Sequence, residues 1–138
     1  MAGRRYLLDT SILSNLIEDP TSPLAERVIE LSGEEFCTSI IAACELRYGA
    51  AKKGSPSLTK TVDRLLARID ILPLEPGADQ HYGDIRASLE RIGQPIGGND
   101  LLIAAQSRAL GLVLVTGNAG EFGRVPNLRV ENWLEPGG

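Results

Sequence analysis

This chain is short of the residues on which several whole classes of protein depend. It has two cysteines, Cys37 and Cys44, seven residues apart and with no second pair. That excludes zinc ribbons and disulfide-stapled secreted scaffolds. A single histidine, His81, excludes any mechanism that needs two imidazoles as acid and base. No apolar run, Leu101–Ala105 included, approaches the ~18 residues of a membrane span. Arg4-Arg5 imitates the basic start of an export signal, but Asp9 interrupts the apolar run after three residues. A reduced, cytoplasmic setting is therefore expected. Aromatics make up only 4% of the chain, so Tyr48, Tyr82 and Trp133 are expected in the core rather than on a stacking surface. The net charge of −4 argues against holding nucleic acid by bulk electrostatics, and no lysine follows Lys60.

What is present is an ordinary globular balance: 138 residues, 43% hydrophobic and 23% charged. That is one domain, residues 1–138, with the tail at 136–138 expected to fray. Area scaling gives roughly 7,000 Å² exposed when folded against roughly 21,500 Å² unfolded, enough burial to fold without staples. Strands are expected at Arg5–Leu8, Glu35–Thr38, Ile71–Leu74, Leu112–Val115 and Leu128–Val130. Between them come helices at Ile12–Ile17, Leu24–Leu31, Ile40–Lys53, Leu58–Ile69, Ala78–Ile92 and Leu101–Leu110, with Asp100 opening the last. Gly93–Gly98 and the stretch from Thr116 to Phe122 are expected as loops. Strands alternating with helices indicate an α/β fold whose mostly parallel sheet is covered on both faces. No internal repeat or low-complexity segment interrupts it.

In such a sheet, ligands bind beyond the carboxyl ends of the strands. Asp9 leaves the first strand, where it is either a helix cap or a functional acid. Glu45 falls inside the helical arc of Ile41, Ala42, Tyr48 and Gly49, where an ionised carboxylate needs an arginine or a cation. Asp100 stands at the start of a helix that is apolar almost all round, and Glu121 follows the strongest strand. Two carboxylates about 4 Å apart repel by roughly 4 kcal/mol at an effective dielectric near 20. A converging set therefore implies raised pKa values or a divalent cation. Oxygen-only ligands suit Mg²⁺ or Mn²⁺.

Leu7-Leu8-Asp9-Thr10-Ser11, Ala43-Cys44-Glu45-Leu46-Arg47-Tyr48-Gly49 and Pro95-Ile96-Gly97-Gly98-Asn99-Asp100-Leu101-Leu102-Ile103-Ala104-Ala105 together resemble the PIN-domain ribonucleases. Within that family the likeness is to VapC-type toxins of bacterial toxin–antitoxin pairs. Leu114-Val115-Thr116, Glu121-Phe122, Arg124-Val125-Pro126 and Glu131-Asn132-Trp133 extend it almost to the C-terminus. The resemblance implies an α/β/α sandwich, a metal-dependent endoribonuclease, a cognate antitoxin that blocks the site, and a homodimer. It assigns Asp9, Glu45 and Asp100 as the acids that hold Mg²⁺ or Mn²⁺. The fourth acid departs from the pattern: Asn118 stands where many relatives carry an aspartate, which leaves Glu121 as the alternative.

A cation held there would activate a water for in-line attack on a phosphodiester, leaving a 5′-phosphate and a 3′-hydroxyl. Thr10, Ser11, Thr116 and Asn118 are placed to orient waters around the ion. Arg47, Lys52 and Lys53 are candidates for a basic rim that meets RNA. Arg86 is another, unless it pairs with Glu45 or a different acid. His81 is expected to be a solvated helix residue. Two other classes compete. A haloacid-dehalogenase-type phosphatase wants a second aspartate where Ser11 stands, and a phosphoryl receiver wants a late lysine that is missing. A catalytically degenerate binding module would have no need of Asp9, Glu45 and Asp100.

Overall fold

Tyr6-Leu7-Leu8 forms the central strand β1, with all three residues buried. The structure, a computed structural model, describes residues 3–31 and 33–134, so the tail expected to fray at 136–138 lies outside it. After β1 come α1 (Thr10–Glu18), α2 (Pro23–Glu30), β2 (Phe36–Ser39), α3 (Ile40–Lys53), α4 (Pro56–Leu66) and β3 (Asp70–Leu72). The second half holds α5 (Ala78–Arg91), α6 (Gly98–Ala109), β4 (Val113–Val115), α7 (Ala119–Phe122) and β5 (Val130–Glu131). The strands pair in the order β3-β2-β1-β4-β5, and every pairing is parallel.

Local chemistry explains most boundaries. Ser22 and Ser55 cap α2 and α4 by accepting from backbone N–H groups, each followed by a proline at the first helical turn. Gly54, at φ 63°, closes α3 in the left-handed conformation that a side chain resists. β3 stops at Leu72 because Pro73 has no N–H to add to a ladder. α4 ends at Leu66, short of the expected Ile69, whose side chain instead turns into the core. The stretch from Thr116 to Phe122, expected as a loop throughout, contains the single-turn helix α7.

The core is one continuous cluster: Leu7, Leu8 and Leu114 of the sheet are fully buried together with Ile12 and Leu13 of α1 and Ile85, Leu89 and Ile103 of α5 and α6. Trp133 closes one end, edge-on to Tyr6 at 4.9 Å. Tyr48 departs from expectation. It is 66% exposed, because α3 turns Ala42, Ala43, Leu46 and Ala50 inward. His81 also departs, since its Nδ1 accepts from Arg108 Nε at 2.8 Å. Arg108 in addition donates to Asp84 at 2.7 Å and to the Pro126 carbonyl at 2.9 Å, tying α6 to α5 and to the segment after α7.

The strand order fixes where a ligand can enter. From β1 the chain builds outward to β2 and β3, then returns to lay β4 on the opposite side of β1. The connections out of β1 and β4 therefore part company, leaving a crevice beyond their carboxyl ends.

Candidate active site

Asp9 stands at the mouth of that crevice, 3% exposed. Its N–H donates to the Val115 carbonyl at 3.1 Å, which locks the end of β1 to the end of β4. Its Oδ1 caps α1 by accepting from the Ile12 N–H at 3.1 Å and from the Ser11 hydroxyl at 2.6 Å. Asp9 is thus both the cap and a buried acid. Burial raises its pKa, and the bonds from Ser11, Thr116 and Ile12 offset this only in part.

Asp100 faces it from the first turn of α6, whose N-cap is Gly97 rather than Asp100 itself. Burial, then the charges of Glu121, Glu45 and Asp9, then a hydrogen bond with Glu121 push the Asp100 carboxyl up to about 6. The largest electrostatic cause is Glu121, so this carboxylate is set toward Asp100 across the crevice. The short helix α7 is what carries Glu121 back toward Asp100. A loop reading of this stretch contains no such instruction.

Glu45 is half-buried on α3, and its Oε1 accepts from the Thr10 hydroxyl at 2.6 Å. Its partner is a hydroxyl and not an arginine. Arg47 pairs with Asp63 at 2.6 Å and Arg86 with Glu90 at 3.2 Å, both exposed. Neither reaches an acid of the crevice, and Arg86 makes no pair with Glu45. Ser11 and Thr116 support the loop after β4. The Ser11 Oγ accepts from the Gly117 N–H at 2.9 Å, and the Thr116 Oγ1 accepts from the Asn118 N–H at 2.9 Å. Asn118 is exposed, and its side chain makes no capping bond to α7.

Glu121, Glu45 and Asp9 act electrostatically on Asp100, yet the four side chains do not form a closed cage. Among the described residues, no three Asp, Glu, His or Cys side chains stand close enough to hold an ion as they are oriented. Glu45 is turned to Thr10, and Asp9 is turned to Ser11 and the Ile12 N–H. The donor set nevertheless fits a hard divalent cation. It is oxygen-only, and the raised pKa of Asp100 marks an excess of negative charge that a cation would relieve.

A family model for the PIN domain matches residues 6–128. The chain belongs to the PIN-domain family. Over 131 residues it is 39% identical to Ribonuclease VapC2 of Haemophilus influenzae, a match spanning 94% of this chain and 98% of that protein. It is 38% identical over 130 residues to the tRNA(fMet)-specific endonuclease VapC of Shigella flexneri, spanning 94% and 98% of the two chains. Among solved structures, VapBC2 from Rickettsia felis, bound to a DNA fragment from their promoter, superposes with a TM-score of 0.87 at 35% identity. That match covers 93% of this chain and 98% of that one. The PIN domain's all-parallel five-stranded sheet is the frame that brings Asp9, Glu45, Asp100 and Glu121 to one crevice.

Proposed function

We propose that this PIN-domain chain is a divalent-cation-dependent endoribonuclease acting as the toxin of a toxin–antitoxin pair. The observation that carries the reading is the meeting of four acids at the point where the strand order reverses, with Asp100 pushed up to about 6 by the other three and by burial. Asp9, Glu45 and Asp100 would hold Mg²⁺ or Mn²⁺, with Glu121 completing the set. The bound ion supplies charge neutralisation at the phosphodiester and activation of the attacking water.

The chain's own residues do the rest. The Asp9 carboxylate is fixed by its cap bonds and cannot swing away. Thr10 holds Glu45 in place and Ser11 holds Gly117, so the walls of the crevice keep their spacing without help from substrate. Asn118 is exposed beside the acids and free to orient a water or a phosphate oxygen. The acids repel RNA until a cation is bound, so substrate binding and metal binding are coupled.

The partner follows from the same charge. An acidic crevice is suited to a basic antitoxin side chain, an arginine in two-pronged contact with a carboxylate. A homodimer within that complex and a cytoplasmic site of action complete the proposal. No helix among the described residues is long and apolar enough to cross a membrane. Brief expression followed by mapping of cellular RNA ends, with Asp9→Asn as control, tests the reading. The expected result is new 5′-phosphate ends that vanish in the control and when the antitoxin is co-expressed. Identical ends from both proteins would refute it.

A further inference from the structure

The crevice continues outward into a cavity of about 200 Å³ between α1, α3 and α4. Thr10 and Glu45 stand at its inner end, the same pair that is bonded beside Asp100. The floor is apolar, built from Leu46, Leu58 and Val62. Ser14 and Glu18 on α1 add oxygen acceptors at the side, and Lys53 brings a cation from the last turn of α3. Gly49 recesses the α3 wall: a Cβ placed there meets no atom within 4 Å.

We propose that this cleft takes one nucleobase of the RNA, next to the bond that is cut, and favours a base presenting an amino group or a ring N–H. The inference rests on the ribonuclease reading above. Cavities for drug-sized ligands run to about 300–1,000 Å³, so this one suits a single ring system. A base has apolar faces and a polar edge, which match an apolar floor with polar groups at one side. The Glu18 and Glu45 carboxylates only accept, and the Ser14 hydroxyl can accept or donate, so the edge favours donors on the base. Those carboxylates exclude a phosphate from the cleft itself. Lys53 makes no ion pair among the described residues and is free to meet the phosphate outside it. Because Thr10 and Glu45 belong to both cavities, whatever fills the cleft touches the reaction centre. The Lys53 cation on the cleft wall suits a polyanionic strand better than a basic antitoxin segment.

The test is binding of fluorescein-labelled single-stranded RNA 12-mers to the full-length wild-type protein with Ca²⁺ in place of Mg²⁺, with one base removed at each position in turn. Loss of one base is expected to weaken binding about tenfold, in the range that base contacts contribute. Gly49→Leu, added to the same protein, should weaken intact RNA by the same factor and leave the RNA lacking that base unaffected, since both changes remove one contact. Lys53→Ala should weaken all sequences alike and reduce the salt slope by about one phosphate's worth. A Gly49→Leu protein that melts with its parent and binds intact RNA equally well overturns the cleft alone. So does an unchanged salt slope in Lys53→Ala, or a Gly49→Leu that loses only the co-expressed antitoxin. Absence of any RNA binding by the parent overturns the ribonuclease reading and the cleft together.

Discussion

Asp9 and Asp100 have environments that separate their structural from their chemical roles. The asparagine variant of Asp9 keeps an oxygen to cap α1, so its helix should form as before. Asp9→Asn and Asp100→Asn are each expected to lower cleavage by about 100-fold or more, equivalent to about 2.7 kcal/mol, with unchanged circular dichroism. Unfolding of either variant would mean that the acid serves the fold. The Asp100 carboxyl stands at about 6 in the folded chain against an ordinary 3.8, so the stability it contributes is complete below 3.8 and is lost as pH rises through about 6. Raising the pH of metal-free protein from 5 to 7 should therefore lower the Tm, and Asp100→Asn should lessen that fall by about 2–3 °C, modest because the group is partly solvated. The Glu121 charge is the largest electrostatic contribution to the raised pKa of Asp100, which supports a place for it in the site. Glu121→Gln should cut activity about tenfold and Asn118→Ala less, while Asn118→Asp added to Glu121→Gln should recover part of the loss. Wild-type activity in Glu121→Gln would reduce the site to three acids.

Two ties between elements keep the crevice open to the right width. Ser11 joins the first turn of α1 to the loop after β4, accepting from Gly117 while donating to Asp9. Ser11→Ala leaves the Gly117 N–H without its partner, so a loss of about 1–2 kcal/mol in denaturant unfolding is expected. Activity should fall with it, because the carboxylate loses a bond that aims it. Arg108 works at the other end of α6, where its guanidinium, 10% exposed, spans His81, Asp84 and the Pro126 carbonyl. Arg108→Ala should cost about 2 kcal/mol of stability yet leave metal binding unchanged. Coupled loss of metal affinity would show that α6 transmits strain along its length.

Across the whole molecule, the acid cluster and the net charge of −4 make the cation the term that reverses the sign of the interaction with RNA. Chelator is expected to abolish cleavage, and Mg²⁺ or Mn²⁺ to restore it. The same ions should raise the Tm of wild-type protein by mass action and that of Asp100→Asn much less. Full cleavage in excess chelator would remove the metal from the mechanism.

The sequence by itself determined the alternation of strands and helices, since continuous apolar runs, serine–proline starts and the Gly54 stop are local signals. It also determined that Asp9 leaves the first strand and that Glu45 lies toward the inner side of α3. The tertiary structure alone decided how these acids meet. Strand order is a non-local choice, and only the placement of β4 beside β1 sets Asp9 against the loop after Val115. The one-turn helix α7 is too short to leave a periodic pattern, yet it turns Glu121 onto Asp100. Helical spacing placed Tyr48 with the buried residues of α3, but packing against α1 and α4 chose Ala42, Ala43, Leu46 and Ala50 instead. His81 and Arg108 are 27 residues apart and carry no shared signal, and the packing of α5 on α6 makes them neighbours. Local chemistry is written along the chain, whereas which faces meet depends on what every other element has already covered.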